Sequence, residues 1–255
     1  MYPKIGPIMT YGLFYLAGIV LHFLIGWRLA RRRGLRRRVW ILAGLCYLLG
    51  MVVGAKALFD LREGNFQAVA LLQARHYAAG GLWGGLLAYF APAVPLVLVV
   101  AHRKWDALDL TAETVPLPWI AAKVGCFLNG CCHGRPCSLP WAVTFPEAAR
   151  TAPAGTPIHP TQLYEVGIML VLLGVFATLR SNRWRGTKLL WFLAIYGLGR
   201  AATDFLRGDA CTSARLGPLS LTQTICLATA TVAGLALLAA FRRTRVAHMP
   251  AVPGP

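Results

Sequence analysis

Long apolar runs separated by short polar segments dominate the chain. Runs near 10–30, 39–59, 80–101, 109–128, 160–179, 188–206 and 218–241 stand out. Each approaches the roughly 17–25 residues that, at about 1.5 Å per residue, carry a helix across a hydrocarbon layer of about 30 Å. The pattern predicts an all-α integral membrane protein with about seven transmembrane helices, residues 1–255 forming a single polytopic domain. The 109–128 run carries Glu113, Pro116, Pro118 and Lys123. It is therefore expected to be shielded by other helices or partly irregular, because unpaired backbone polar groups cannot face lipid.

Composition supports that reading. The 255 residues are 57% hydrophobic and 14% charged, whereas soluble domains are about half apolar and a quarter charged. A net charge of +17 raises the question of nucleic acid, but no nucleic-acid-binding module is recognisable, and none is expected as a partner. The basic residues sit in short clusters between apolar runs: RRRGLRRR at 31–38, His102-Arg103-Lys104, RSNRWRGTK at 180–188 and RRTR at 242–245. With seven spans these clusters, which hold more than half of the 26 Lys and Arg residues, share one face. Lys and Arg in short loops stay on the cytoplasmic side, so the N-terminus is expected outside, the C-terminus inside and the 129–159 loop in the periplasm. The first run lacks a small-residue cleavage site and is followed by the Arg-rich block, so it is expected to remain in the mature protein.

Ionisable residues inside spans are costly and mark candidate sites. Arg28 can reach the inner interface along its own stem. Lys56, Lys123, Glu165, Arg200 and Asp204 instead fall towards the outer ends of their spans, a depth shared by Tyr11, Tyr15 and the glycine run at 80–85. Either they pair as interhelical salt bridges or, given the excess of cations, they hold an anionic ligand in a cavity on the periplasmic side. Arg200, Asp204 and Arg207 lie i, i+4, i+7 on one helix face. A guanidinium oriented by a carboxylate suits bidentate binding of phosphate. In His159-Pro160-Thr161-Gln162-Leu163-Tyr164-Glu165, proline marks a helix start and Gln162 and Glu165 project one turn apart.

From Lys123 the chain continues through Cys126, Asn129, Gly130, Cys131, Cys132, His133, Gly134 and Cys137. Glycines in such a loop can bring backbone N–H groups close to a phosphate. The C-x4-C-C-x4-C spacing does not match the paired C-x2-C of structural zinc sites, and no C-x2-C redox pair is present. A disulfide or simple buried thiols fit the cysteines better, and no metal is expected. Gly80, Gly81, Gly84 and Gly85 either allow close helix packing or make room for lipid.

Taken together, these motifs resemble the phosphatidylglycerol–prolipoprotein diacylglyceryl transferases of bacterial inner membranes. Thr10-Tyr11-Gly12-Leu13-Phe14-Tyr15 is similar to the family's first-helix W-Y-G-L-M-Y, and RRRGLRRR to its basic first loop. Gly54-Ala55-Lys56 resembles G-A-R, the 80–86 run resembles G-G-x-x-x-H-G-G-L, His159 to Glu165 resembles H-P-S-Q-L-Y-E, and Gly199 to Arg207 resembles G-R-F-x-x-E-F-x-R. The signature R-I-G-N-F-I-N-G-E-x-x-G is matched at Gly125, Phe127, Asn129, Gly130 and Gly134. It departs at Lys123 for Arg, Cys126 for Asn and Cys131 for Glu, in the manner of a Cys-rich form, G-C-F-L-x-G-C-C-x-G, of a divergent branch. Further departures are Lys56 for Arg, Trp83 for His and Asp204 for Glu.

The resemblance implies a multi-pass protein of the bacterial inner membrane. Its expected activity is transfer of a diacylglyceryl group from phosphatidylglycerol to the lipobox Cys thiol of a prolipoprotein signal peptide, with release of glycerol 1-phosphate and no cofactor. Arg200, Lys123, Glu165 and Asp204 are the expected catalytic residues. Tyr11, Lys56, Gly84, Gly85, Asn129, Gly130, Gly134, Gln162 and Arg207 are expected to bind substrate. With Trp83 at the histidine position, His133, His159 or the leaving phosphate could take the thiol proton. Alternatives are a membrane lipid transferase with another acceptor and a non-catalytic lipid-binding or transport protein.

Overall fold

The computed structural model describes residues 4–5, 8–36, 38, 40–42, 44–46, 94–95, 97–99, 101–149, 151–179, 185–208 and 215–246. Lys56, Trp83, Gly84 and Gly85 lie outside the described residues. A hairpin of β1 (Lys4–Ile5) and β2 (Ile8–Met9) leads into helix α1 (Thr10–Arg32). Helices α2 (Lys104–Thr114) and α3 (Pro116–Asn129) follow. Strands β3 (Val143–Thr144) and β4 (Pro157–Ile158) pair antiparallel before helix α4 (Thr161–Thr178). Helix α5 (Lys188–Phe205), the hairpin of β5 (Arg215–Leu216) and β6 (Leu219–Ser220), and helix α6 (Leu221–Val246) complete the described elements.

The chain divides into two compact units: residues 1–22 with 112–255, and residues 23–111. In the smaller unit, Phe23 meets Trp40 edge to face with centroids 6.3 Å apart, and Gly26 packs directly on the Trp40 ring. Arg103 there pairs with Asp106 at 2.7 Å and donates to the Arg33 carbonyl at 2.6 Å. The larger unit contains every described residue of the candidate site.

Among the described residues, Thr10–Arg32, Thr161–Thr178 and Leu221–Arg242 are long and apolar enough to cross a membrane. Their outward positions are apolar: Leu16, Val20 and Leu24 on α1, Leu170 and Val171 on α4, and Val232, Leu235 and Leu238 on α6 are all exposed. Such faces suit lipid rather than water. The inward stripes follow helical spacing. On α4 they comprise Glu165, Met169, Leu172 and Phe176, and on α6 Cys226, Ala230, Ala233 and Leu237.

The sequence around 109–128 is two helices, α2 and α3, meeting at Val115. Pro116 occupies the first turn of α3, where no N–H partner is needed. Within this run Glu113 is accommodated by an ion pair with the buried Lys188 at the start of α5. Gly130 ends α3 in the left-handed conformation, φ 69°. Its N–H donates to the Phe127 carbonyl at 3.2 Å, and that of Cys131 to the Cys126 carbonyl at 3.1 Å, an arrangement that satisfies the last carbonyls of the helix.

Small residues set the helix spacing around this unit. Cβ atoms added at Gly18 and Gly125 would lie 2.7 Å from Ala121 Cβ and 3.1 Å from Tyr11 Cα, so glycine permits the approach of α1 to α3. Gly197 does the same for α5 against α6, where an added Cβ would lie 2.7 Å from the Cys226 carbonyl. The 129–159 segment has a core of its own, with Phe145, Ala152 and Ile158 buried against Phe127, Val143 and Ala149.

Candidate active site

The site is built around one buried carboxylate. Glu165, one turn into α4 and only 1% exposed, divides its two oxygens between charge and aromatic donors. Oε1 accepts from Lys123 Nζ at 2.8 Å and lies 3.9 Å from Arg200 Nε and 3.8 Å from Arg207 Nη1. Oε2 accepts from Trp119 Nε1 and Tyr196 OH, both at 3.3 Å. Trp119 and Tyr196 pack edge to face with centroids 4.9 Å apart, which fixes the direction of both donors. Trp119 precedes Lys123 by four residues on α3, and Tyr196 precedes Arg200 by four on α5, so each helix presents an aromatic donor and a cation from one face.

Arg200 is held from its other side by Asp204, Nη1 to Oδ1 at 3.0 Å. The remaining Asp204 oxygen accepts from Ser220 Oγ at 2.6 Å. Ser220 also caps α6: its Oγ accepts from Gln223 N at 3.0 Å, while its own N–H donates to Gln223 Oε1 at 2.8 Å. This is a capping box, and it ties the start of α6 to the cation site. Ser220→Ala is expected to cost about 1–2 kcal/mol, seen as a lower thermal unfolding midpoint in detergent, and to free Asp204 from its second partner.

Arg207 is positioned by backbone pairing. Gly134 bridges Arg207, Arg135 N–H donates to the Leu206 carbonyl at 2.8 Å and Gly208 N–H to the His133 carbonyl at 3.1 Å. His159 exchanges bonds with this same strip, accepting from Gly134 N–H and donating to the Arg135 carbonyl, each at 3.0 Å. A Cβ at Gly134 would collide with His159 and lie 2.9 Å from the Leu206 carbonyl, so glycine is required by close backbone packing.

The Gly130 and Gly134 N–H groups donate within the chain, to the Phe127 and His159 carbonyls. The two histidines near the site also bond locally: His133 Nδ1 lies 3.0 Å from the Gly134 carbonyl and His159 Nδ1 lies 3.1 Å from Tyr164 OH.

Gln162 and Asn129 are buried beside the cysteine loop. Gln162 Nε2 donates to the Cys131 carbonyl at 2.6 Å and Asn129 Nδ2 to Cys131 Sγ at 3.5 Å. Their oxygens, Oε1 and Oδ1, are buried without a hydrogen-bond partner among the described residues, a costly state that a ligand's O–H donor would relieve. Tyr11 packs its backbone on Gly125 and stacks on Tyr15, centroids 6.0 Å apart. In the loop, contacts with the Cys126 and Cys131 thiols, aided by the Lys123 and Arg207 charges, hold the Cys132 thiol well below the usual thiol range. Cys131 is pushed up to about 11: the Cys126 contact lowers it, but proximity to Cys132 and burial outweigh that.

Glu165, Lys123, Arg200, Arg207 and Asp204 are thus brought together. Trp119, Tyr196 and Ser220 were not singled out in the sequence. The aromatic pair carried no signal beyond four-residue spacing from a cation, whereas Ser220-Leu221-Thr222-Gln223 has the S-x-x-Q form of a capping box.

Apolar outer faces and a buried polar centre in which Lys123, Arg200 and Arg207 gather on Glu165 define a helical membrane protein. The prolipoprotein diacylglyceryl transferase family matches residues 2–240, and the chain belongs to that family. A phosphatidylglycerol–prolipoprotein diacylglyceryl transferase of Methylococcus capsulatus is 32% identical to it, over 94% of this chain and 96% of the relative. Enzymes of the same name from Bordetella bronchiseptica and Clostridium tetani are 30% and 29% identical, covering 80% and 79% of this chain and 80% and 82% of their own lengths.

Proposed function

We propose that the chain transfers the diacylglyceryl group of phosphatidylglycerol to the lipobox cysteine of a prolipoprotein signal peptide, releasing glycerol 1-phosphate. The carrying observation is the gathering of Lys123, Arg200 and Arg207 around Glu165, with Asp204 behind Arg200. Among the described residues, Lys123, Arg200 and Arg207 outnumber Glu165 and Asp204, a cationic excess that suits a phosphodiester. The oxygens of Gln162 and Asn129, without a partner among the described residues, suit the two hydroxyls of the glycerol head group, and Tyr11 is assigned to the same substrate. Lys56, Gly84 and Gly85 are assigned to substrate binding by their depth in the apolar runs and by the family motif.

In the reaction the cysteine sulfur attacks the glyceryl carbon bonded to phosphate. An S–C bond forms, the C–O bond breaks, and glycerol 1-phosphate leaves with the bonding pair. Negative charge grows on the phosphate as that bond breaks, so fixed guanidinium and ammonium donors stabilise the transition state more than the ground state. Glu165, already shared by three cations, orients them. Asp204 does the same for Arg200.

The proposal includes seven spans in the bacterial inner membrane, the N-terminus outside and the C-terminus cytoplasmic, the 129–159 loop in the periplasm and the site opening at the outer leaflet. The placement of the basic clusters and the apolar outer faces support it.

The test supplies detergent-purified protein with labelled phosphatidylglycerol and a lipobox peptide. The expected products are peptide-linked diacylglycerol and glycerol phosphate in equal amounts. Lipid turnover without peptide modification would indicate another acceptor, and lipid binding without product a non-catalytic role.

A further inference from the structure

Cys126, Cys131 and Cys132 are used neither in a disulfide nor in any step above. Their three Sγ atoms nevertheless lie within 4.8 Å of one another. Adjacent residues ordinarily direct their side chains apart. Here Cys132 adopts a left-handed backbone conformation, φ 57°, the only such non-glycine residue among those described, and its sulfur joins that of Cys131 beside Cys126. The conformation is uncommon for a non-glycine residue and carries a cost.

The cluster is also held from outside. Thr161 Oγ1 donates to the Cys132 carbonyl at 2.7 Å and Gln162 Nε2 to the Cys131 carbonyl at 2.6 Å. Two consecutive carbonyls are thereby fixed to the first turn of α4, one turn before Glu165. Cys126 is fixed by its place on α3, one turn after Lys123 and buried, whereas Cys131 and Cys132 are half-buried. The triad is therefore held on the side of the helices, and its two loop cysteines keep part of their surface exposed among the described residues.

Three sulfurs bound to one tetrahedral zinc(II) at about 2.3 Å lie about 3.8 Å apart. The observed spacing needs only a small contraction to reach that geometry. Three protein ligands with a vacant fourth position are the mark of a catalytic rather than a structural zinc site.

We propose that Cys126, Cys131 and Cys132 bind a zinc(II) ion as thiolates and that its fourth position takes the cysteine thiol of the acceptor peptide. The second half rests on the transfer reaction proposed above. The acceptor thiol binds zinc as a thiolate and gives up its proton. The sulfur attacks the glyceryl carbon, the C–O bond breaks, and the departing phosphate monoester takes up one proton. The thioether product is neutral and a weak zinc ligand, so it dissociates. This places the deprotonation of the acceptor thiol at the metal and its proton on the departing phosphate.

The test uses the full chain in detergent. The wild-type protein is expected to carry about one zinc per chain by elemental analysis. In C126S, C131S and C132S the content is expected to fall by about tenfold or more. C137S, whose sulfur lies outside the triad, is expected to retain its zinc and serves as the folding control. Cobalt(II)-loaded protein is expected to show thiolate-to-cobalt absorption and tetrahedral visible bands. A lipobox peptide should shift those bands, and its Cys→Ser form should not.

Metal-free wild-type protein, with all three thiols open to alkylation or two of them joined in a disulfide, would overturn the site. Cobalt bands indifferent to the peptide would overturn the role of the fourth position. Transfer that survives complete chelation would overturn the zinc step while leaving the transfer reaction intact. Metal and peptide signals without transfer would support the site and overturn the reaction it rests on.

Discussion

Arg200→Ala is expected to lower the rate of diacylglyceryl transfer by about 10²–10³-fold, the loss seen when one fixed donor to a developing anion is removed. Arg200 is 8% exposed, fixed by Asp204 at 3.0 Å and drawn towards Glu165 at 3.9 Å. Its fork is therefore ordered before substrate arrives, and no ordering cost falls on the transition state. Because charge builds on the phosphate only as the C–O bond breaks, the loss should appear mainly in kcat. Arg200→Lys keeps the charge but loses the planar fork, so its rate should fall between those of the wild type and Arg200→Ala. Steady-state kinetics with labelled phosphatidylglycerol and a lipobox peptide separate these outcomes. An Arg200→Ala enzyme with wild-type kcat would remove Arg200 from the phosphate site.

Glu165→Ala should have the largest effect on stability. It leaves Lys123, Arg200 and Arg207 facing one another in a buried space, and removing one partner of a buried ion pair costs about 3–5 kcal/mol. Trp119 and Tyr196 also lose the acceptor they share. The thermal midpoint in detergent is expected to fall by on the order of 10 °C. Glu165→Gln retains the volume and an acceptor for Lys123, and should fall less. The Glu165→Ala/Lys123→Ala double variant should lose less stability than the sum of the single variants, by about 0.5–3 kcal/mol. Strict additivity would show that the 2.8 Å contact of Lys123 with Glu165 carries no coupling.

These two residues differ in how visible they were in the sequence. The pairing of Arg200 with Asp204 follows from a four-residue interval on one helix, which places the two side chains on the same face wherever the helix lies. The start of α4 after Pro160 is similarly local. Gly130 as the end of α3 is local too, as is the bond of its N–H to the Phe127 carbonyl three residues back, whereas the Gly134 N–H finds its partner, the His159 carbonyl, only through the backbone pairing of residues 133–135 with 159 and 206–208. Glu165 could be marked as an ionisable residue in an apolar run, yet its acceptor role towards Lys123 spans 42 residues and that towards Tyr196 spans 31. Helix packing alone decides such contacts.

By itself the sequence determined the membrane class and the apolar runs that become α1, α4, α5 and α6. It also determined which charges are too costly to be placed there without a role. Burial energy acts on each run locally, so hydropathy and helical spacing carry that information. The tertiary structure decided the rest: Trp119 and Tyr196 converge on Glu165, and Ser220 secures Asp204 from the far side of a hairpin. It also decided the cysteines. Their spacing along the chain matches no zinc pair, because the feature that gathers the sulfurs is the left-handed turn at Cys132, clamped by α4, and neither the backbone angle nor the clamp is written in the interval between residues.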